Sequence, residues 1–425
     1  MKLLKNAASF IATAVAMCVV SPSAVDGLPL RASKVYDRAL EPDNAFTLNL
    51  GNKRLEGTHA LTAKDVAEFG ITGGSGKFVL VTEFFYGGVY LVDVEEQTFE
   101  QIVPSGEWLE KGGVGLTASN GHIFVAASGP NVLLPFEIYV YNPQGKLVNT
   151  CLPPSGVQAG IFNDIAVVGD VAYVTDSSFP RLWNFNIPDA IDGNCVLEFQ
   201  ELDDVFDPVV QETPIESNGK WDGELEIHSP IHILYGEVKI QNTHWFFYRF
   251  IVTPGIVPVG DGFIIAQFGS GGLYYVNPKT GITAEVVPTG TYNEADGLEL
   301  VEEGDGTLTL YVTVGVTNNI YVYKVLHQAG CEIPALSFVS KIENEGYDGP
   351  STSAVLGDMI YTANLRGQAL PLLSVPFENN TAVFTEQFSL VGTSRLVGDS
   401  CKIKGMKGKK ADKKTDKKAK KNKSN

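Results

Sequence analysis

Two short patterns in this sequence have residue types that could support chemistry, but their context does not fit it. His228 and His232 are spaced like paired zinc ligands on a helix, yet Pro230 lies between them and disfavours a helix. On a strand the two side chains would be about 13 Å apart, too far for one ion. The glycine-rich run at 73–77 lacks the spaced first glycine and the hydroxyl residue of a phosphate-binding loop. We interpret the histidines as core or surface residues and the run as a turn.

The sequence also lacks the motifs that carry hydrolytic chemistry in many enzymes. It contains no Gly-x-Ser-x-Gly nucleophile motif and no His-Glu-x-x-His zinc motif. Serine hydrolase and zinc protease chemistry therefore have no support, and the sequence indicates no nucleophile.

The strongest pattern is a layout that occurs six times. Each copy has a small or acidic residue, a hydrophobic strand, a Gly or Asp turn and a second strand. The second strands begin near Lys77, His122, Ala172, Phe263, Leu310 and Met359. They recur roughly every 45 to 50 residues, with one step about twice as long, and this period is typical of four-stranded propeller blades. The sequence predicts an all-β, six-bladed β-propeller of four-stranded antiparallel blades, with functional side chains at the starts of the first strands, around the axis.

The doubled step contains the residues 202–252, which are rich in β-forming side chains. We predict a β-rich insertion here, and a degenerate seventh blade is the alternative. The chain has 425 residues, 44% of them hydrophobic and 19% charged, so it can bury a large core. The predicted organisation is a signal peptide at 1–27, an N-terminal segment at 28–64, the propeller at 65–400 and a lysine-rich disordered tail at 401–425.

The two ends of the chain predict where it works. Lys2 and Lys5 precede an apolar run at 7–20 and then small residues, the pattern of a secretory signal peptide. We therefore expect a secreted protein without a transmembrane anchor once the signal is removed. Asn379 and Asn422 lie in formal glycosylation motifs.

The lysine-rich tail contrasts with an acidic body. The net charge is -17, and the tail contributes twelve lysines against Asp412 and Asp416. The tail either binds an extracellular anionic surface or keeps the protein soluble, and we expect no nucleic-acid partner because the signal peptide directs the chain outside the cell.

Four cysteines remain after signal removal, and an even set in a secreted chain predicts disulfides. Three pairings are possible. We favour Cys151 with Cys195, which lie in neighbouring blades, and Cys331 with Cys401, which flank the last blade.

Three stretches resemble the SMP-30/gluconolactonase-like six-bladed propellers, especially their secreted, uncharacterised branch. They are NDIAVVGDVAYVTDSSFPRLWNFN from Asn163, GFIIAQFGSGGLYYVNPKTGITAEVVPTGTYNEADGLEL from Gly262, and YDGPSTSAVLGDMIYTANLRG from Tyr347. The resemblance covers about residues 67–366. It implies a divalent cation on the axis, held by acidic and Asn side chains, and a small-molecule substrate.

Carried over motif by motif, the resemblance implies four metal ligands. They are Glu68 in AEFGI, Asn163 in FNDI, Asp296 in ADGL and Asp348 in YDGP. Asp296 is also the implied catalytic base. The family usually has Glu directly before Gly, the second blade (GGVGL) supplies no ligand, and Pro254 stands where the family commonly has Asn.

Two functions follow. The first is metal-dependent hydrolysis of a lactone or related ester. The metal is Ca²⁺, with Zn²⁺ as the other candidate. In this function the cation polarises the carbonyl group of the substrate and Asp296 takes a proton from water. In the second, Asn163, Asp164 and Asp296 only cap turns. The chain is then a non-catalytic extracellular binding or matrix scaffold whose polycationic tail contacts anionic surfaces.

Overall fold

The computed structural model contains six four-stranded antiparallel sheets arranged in a closed ring. It describes residues 46–49, 55–71, 76–84, 86–106, 112–128, 136–202, 237–240, 243–246, 255–267, 271–288, 290–292, 295–315, 317–327, 332–364 and 389–395. The first strand of every sheet contacts the first strands of the two neighbouring sheets. The six first strands therefore surround the axis, and the predicted six-bladed β-propeller is confirmed.

The strands of the first three blades follow the chain order from the axis outward. Blade 1 contains β2 (Leu55–Ala60), β3 (Phe78–Glu83), β4 (Val89–Asp93) and β5 (Thr98–Val103). Blade 2 contains β6 (Gly112–Ser119), β7 (His122–Ser128), β8 (Glu137–Tyr141) and β9 (Leu147–Cys151). Blade 3 contains β10 (Phe162–Val168), β11 (Val171–Asp176), β12 (Arg181–Asn186) and β13 (Glu198–Glu201).

The second half of the chain forms the other three blades. Blade 4 contains β16 (Ile256–Val259), β17 (Gly262–Gln267), β18 (Gly272–Asn277) and β19 (Ile282–Val287). Blade 5 contains β20 (Ala295–Glu302), β21 (Leu308–Val314), β22 (Asn319–Leu326) and β23 (Ala335–Glu343). Blade 6 contains β24 (Pro350–Leu356), β25 (Met359–Asn364), β26 (Ser389–Ser394) and, outermost, β1 (Phe46–Asn49).

Blade 6 is built from both ends of the propeller sequence. Strand β1 pairs antiparallel with β26, from Phe46 opposite Gly392 to Asn49 opposite Ser389. Since β1 and β2 both precede residue 65, the propeller begins within the segment at 28–64 that the sequence had set apart. The ring is closed by an N-terminal strand that no blade period in the sequence revealed.

Hydrophobic clusters fill all six seams between adjacent blades. At the seam between blades 2 and 3, for example, Phe124 packs with Phe162, Trp183 and Phe185, and all four side chains are almost completely buried. The period-two alternation of the strands places successive side chains on opposite faces, so each blade contributes to two clusters. Burial of a large aromatic side chain contributes roughly 1.5 to 3 kcal/mol.

Two short helices and one disulfide complete the described structure. Helix α1 (Ala63–Glu68) connects β2 to β3, and Thr62 and Asp65 form a capping box at its start. Helix α2 (Ile187–Ile191) follows β12. The predicted disulfide between Cys151 and Cys195 is confirmed, and it joins the end of β9 in blade 2 to the segment before β13 in blade 3. Neither helix is long enough to span a bilayer.

Between blades 3 and 4 the described residues form one hairpin, β14 (Glu237–Ile240) with β15 (Thr243–Phe246), and no seventh four-stranded sheet. The remaining expectations about that interval, His228 and His232 included, lie outside the described residues. So do the predicted signal peptide, the lysine-rich tail, the two glycosylation motifs and the second predicted disulfide, Cys331 with Cys401.

Candidate functional site

Five of the six first strands begin with a two-residue β-bulge. The register slips between Leu55 and Thr58 in β2, Gly113 and Leu116 in β6, Phe162 and Ile165 in β10, Ala295 and Leu298 in β20, and Pro350 and Ser353 in β24. The bulged pairs are Glu56-Gly57, Val114-Gly115, Asn163-Asp164, Asp296-Gly297 and Ser351-Thr352. A bulge redirects side chains locally and is over-represented next to functional sites. We call these five pairs the bulge ring.

Members of the bulge ring touch one another from blade to blade. A Cβ atom added to Gly57 would lie 2.3 Å from the carbonyl oxygen of Val114, and one added to Gly115 would lie 2.3 Å from that of Asn163. Only glycine permits such a close approach of one backbone to another. The bulge ring therefore brings equivalent positions of five first strands to one end of the axis.

Two of the four predicted ligands, Asn163 and Asp296, lie in the bulge ring at its first position. Both residues are half-buried. The side-chain amide of Asn163 is oriented by a hydrogen bond that its Nδ2 donates to Ser177 Oγ at 3.0 Å. Ser177 is itself buried. The structure thus gives Asn163 and Asp296 the same place in two different blades.

Glu68 is not part of the bulge ring. It is the last residue of α1, which follows the far end of β2, so the length of that strand separates it from the bulge. Its carboxylate pairs with Lys64 at 3.5 Å on the surface. The structure therefore does not bring Glu68 together with Asn163 and Asp296.

Asp348 also lies outside the bulge ring. It precedes β24, and its backbone N–H donates to Asn364 Oδ1 at 3.1 Å. Gly349 follows with φ at 60°, so the Asp-Gly pair belongs to a turn before the strand. Ser351 takes the first bulge position of blade 6 instead, and its hydroxyl donates to the carbonyl oxygen of Glu56 at 2.8 Å.

Glu56 is a carboxyl-bearing residue of the bulge ring that the sequence did not single out. It occupies the first bulge position of blade 1, directly before Gly57, and is only 5% exposed. The pair Glu56-Gly57 is the sequence signal that could have drawn attention to it. It was overlooked because α1 separates β2 from β3, so the pair lies farther upstream of its second strand than in the other blades.

Two further carboxyl groups lie on the first strands, Asp164 at the second bulge position of blade 3 and Glu299 beyond the bulge in β20. Asp164 Oδ2 accepts the Ile256 N–H at 3.2 Å and its Oδ1 accepts the Ile165 N–H at 2.8 Å. Glu299 Oε1, in β20, accepts the Val355 N–H at 3.3 Å. Each residue as a whole is half-buried. Its carboxyl group, however, is surrounded by protein.

Burial controls the protonation of these two groups. It raises the pKa of Asp164 to about 7, although the N–H groups of Ile256 and Ile165 favour the ionised form. It raises the pKa of Glu299 to about 8, and the charge of Asp164 adds to that shift while the Val355 N–H opposes it. Both residues therefore keep their protons at a pH at which exposed carboxyl groups have lost them.

The bulge ring has a donor set that suits a hard cation. Among the described residues no three His, Cys, Asp and Glu side chains form a metal-binding group. The first positions of the ring instead combine the carboxyl groups of Glu56 and Asp296 with the amide of Asn163. Carboxylate and amide oxygens are the donors that calcium prefers. Val114 offers no side-chain donor, and Pro254, next in line in blade 4, lies outside the described residues.

Comparisons with known proteins agree with the fold. No protein-family model matches the sequence, and no curated protein matches it significantly. Among solved structures, the major allergen Mala s 1 of Malassezia sympodialis is 11% identical over 82% of this chain and 95% of its own, with a TM-score of 0.52. A luciferin-regenerating enzyme is 10% identical over 83% of this chain and 96% of its own, with a TM-score of 0.46. A protein of unknown function from Bacteroides thetaiotaomicron is 11% identical over 81% of this chain and 70% of its own, with a TM-score of 0.44. What this chain shares with Mala s 1 is its fold.

Proposed function

We propose that this chain is a secreted propeller that binds one divalent cation, calcium in the first instance, at the bulge ring and hydrolyses a lactone or related ester there. The observation that carries the proposal is the common register of Glu56, Asn163 and Asp296, three oxygen-bearing side chains at the same bulge position of three first strands. The disulfide between Cys151 and Cys195 supports secretion, because such bonds persist in oxidising compartments.

Each residue has a separate task in this proposal. A bound cation would polarise the substrate carbonyl and stabilise the charge that develops on its oxygen. Asn163 donates through Nδ2 to Ser177, so Oδ1 is the atom that it contributes to the ring. Glu56 contributes a carboxylate from an almost completely buried position. Asp296 takes a proton from the attacking water as the general base.

Replacing Asp296 by alanine is expected to weaken calcium binding by more than about 100-fold, since a direct ligand contributes more than an outer partner. Hydrolysis of a lactone panel, followed in a pH-stat, is expected to disappear in the same variant. The matched control is Glu68→Ala, which removes a predicted ligand that lies outside the ring. Titration calorimetry with calcium and zinc should find one ion per chain in the wild type and in the control.

Three results would contradict parts of this proposal. A wild-type protein that binds neither ion would remove the cation site altogether. An Asp296→Ala variant with wild-type affinity would remove Asp296 from the site. A protein that binds calcium but hydrolyses no lactone or ester would contradict the proposed reaction, while the proposed cation site would still stand.

The second candidate function is a non-catalytic scaffold that attaches to anionic extracellular surfaces. The absence of a donor side chain at Val114, and the charge contrast between the acidic body and the tail with twelve lysines, favour it. Deleting residues 402–425 is then expected to abolish retention on a heparin column at low salt, while thermal unfolding stays unchanged. Retention equal to that of the full chain would contradict this function, and Asp296→Ala serves as the control that keeps the tail.

A further inference from the structure

The bulge ring is held together in two different ways. At four seams a glycine lies directly against the backbone of the next bulge. Added Cβ atoms would lie 2.3 Å from Val114 O at Gly57, 2.3 Å from Asn163 O at Gly115, 2.5 Å from Asp296 O at Gly255 and 2.8 Å from Ser351 O at Gly297. At these four positions the neighbouring backbone leaves no room for a side chain on the glycine itself.

The other two seams have a side chain where the glycine would be. Asp164 takes the second bulge position at the seam between blades 3 and 4, and Thr352 takes it at the seam between blades 6 and 1. Each reaches the backbone of the next blade. Asp164 Oδ2 accepts the Ile256 N–H at 3.2 Å, and the Thr352 hydroxyl donates to the carbonyl oxygen of Glu56.

The contact made by Thr352 fixes one peptide group firmly. The carbonyl oxygen of Glu56 accepts hydrogen bonds from both Ser351 and Thr352, while the N–H of Gly57 donates to Thr82 Oγ1 at 2.8 Å. Thr58 Oγ1 lies 3.1 Å from the Thr352 hydroxyl, which uses its own proton on Glu56 and so accepts from Thr58. A planar peptide bonded on both edges cannot rotate, so the backbone from which the Glu56 side chain projects is held in place.

The peptide group between Asn163 and Asp164 has a similar arrangement. The N–H of Asp164 donates to Thr175 Oγ1 at 3.1 Å, and the Asp164 carboxyl group connects the bulge to blade 4 through Ile256. Thr175 in β11 corresponds to Thr82 in β3, as both lie opposite the bulge of their blade. Both seams without glycine thus lie next to a residue of the donor set.

We infer that Thr352 and Asp164 are positioning residues, which set the places of Glu56 and Asn163 in the ring by bonding each bulge across its seam. This inference rests on the proposed cation site and assigns a role to residues that would not touch the cation themselves. Outer partners of this kind typically change metal affinity by about 10- to 100-fold when they are removed.

The test compares substitutions that differ in one hydroxyl group. Thr352→Val keeps the shape and loses the donor, and we expect calcium affinity to fall about 10-fold in titration calorimetry. Thr352→Ser restores the donor, and its affinity should stay within about twofold of the wild type. Thr393→Val is the matched control. It removes another buried hydroxyl, which contacts Tyr347 and Asn344, and should leave the affinity unchanged.

Amide hydrogen exchange separates this inference from the proposed function. Without any cation, Thr352→Val should speed exchange at Gly57, and Asp164→Ala should speed exchange at Ile256, because each loses a contact that holds its bulge. If the wild type binds no cation, the proposed function fails. The exchange rates of Gly57 and Ile256 then decide by themselves whether Thr352 and Asp164 hold the bulges in place. Unchanged rates, or an equal loss of affinity in Thr393→Val, would overturn the inference.

Discussion

Replacing Asp176 by alanine is expected to lower the free energy of unfolding by about 5 kcal/mol, since several buried donors lose their acceptor together. Asp176 ends β11 and is completely buried. Its Oδ1 accepts the N–H groups of Ser178 and Phe179 at 2.9 and 3.1 Å. Its Oδ2 accepts the Gly160 N–H and the indole N–H of Trp183, both at 3.0 Å.

The loss should be large because these donors come from separate parts of blade 3. Gly160 precedes the first strand, Trp183 lies in the third, and the two loop amides belong to the turn between the second and third strands. Each donor left unpaired in the interior costs roughly 1 to 3 kcal/mol, and those that reach water cost less. Urea unfolding followed by tryptophan fluorescence measures the difference.

Two further variants sharpen this test. Asp176→Asn keeps one oxygen acceptor and puts an amide donor against the other pair, so we expect about half of the alanine effect. Asp170→Ala removes an exposed aspartate from the β10–β11 turn of the same blade and should change stability by less than about 0.5 kcal/mol. Equal stability of Asp176→Ala and Asp170→Ala would show that Asp176 is not the hydrogen-bond centre of the blade.

The second large effect concerns pH. The wild type should lose stability as the pH rises from about 5 to about 9, and Glu299→Gln should lose less. Burial raises the pKa of Glu299 from 4.5 to about 8, with the charge of Asp164 adding to the shift. Between those two values the folded protein holds a proton that the unfolded chain has released. The folded state binds more protons there, so the free energy of unfolding falls with rising pH.

The glutamine variant isolates this contribution. The amide side chain introduced by Glu299→Gln would keep an oxygen acceptor for the Val355 N–H and has no proton to release. We expect similar melting temperatures for both proteins at about pH 5 and a higher one for Glu299→Gln at about pH 9, corresponding to a few kcal/mol. Part of the pH dependence should remain, because the pKa of Asp164 is raised to about 7 by its own burial.

Glu302→Gln is the matched control for this experiment. Glu302 lies on the same strand, β20, but is exposed. Its replacement should leave the pH profile of the melting temperature parallel to that of the wild type. A Glu299→Gln profile that is also parallel would mean that Glu299 does not hold a proton in the folded protein.

The fold was predictable because it depends on a repeated pattern, whereas the site depends on register. The second strands, such as β7 from His122 and β25 from Met359, begin where the hydrophobic runs predict them. The bulges leave a weaker signal, since one slipped pair of residues changes neither composition nor period. The resemblance singled out Asn163 and Asp296 through the motifs FNDI and ADGL, and both lie in bulges. Glu56 did not stand out because a helix separates its strand from the next.

The sequence does not show which carboxyl groups are buried in the interior. Nothing in the local sequence distinguishes Glu299, which is surrounded by protein, from Glu302 three residues later. Their environments differ because the pleat of β20 turns them to different surroundings. The same applies to Asp164 and Thr352, whose contacts cross from one blade to a blade distant in the sequence.

The two seams without glycine lie opposite each other in the ring, one between blades 3 and 4 and the other between blades 6 and 1. They divide the propeller into two halves of three blades, each held internally by glycine contacts. The chain passes between the halves at the long interval 203–254, and β1, from the N-terminal part of the chain, belongs to the sheet of blade 6. The half that contains blades 4 to 6 therefore includes one strand, β1, that precedes blade 1 in the sequence. If the chain were cut once between residues 203 and 254, the two fragments would still share the sheet of blade 6, in which β1 of the first fragment pairs with β26 of the second.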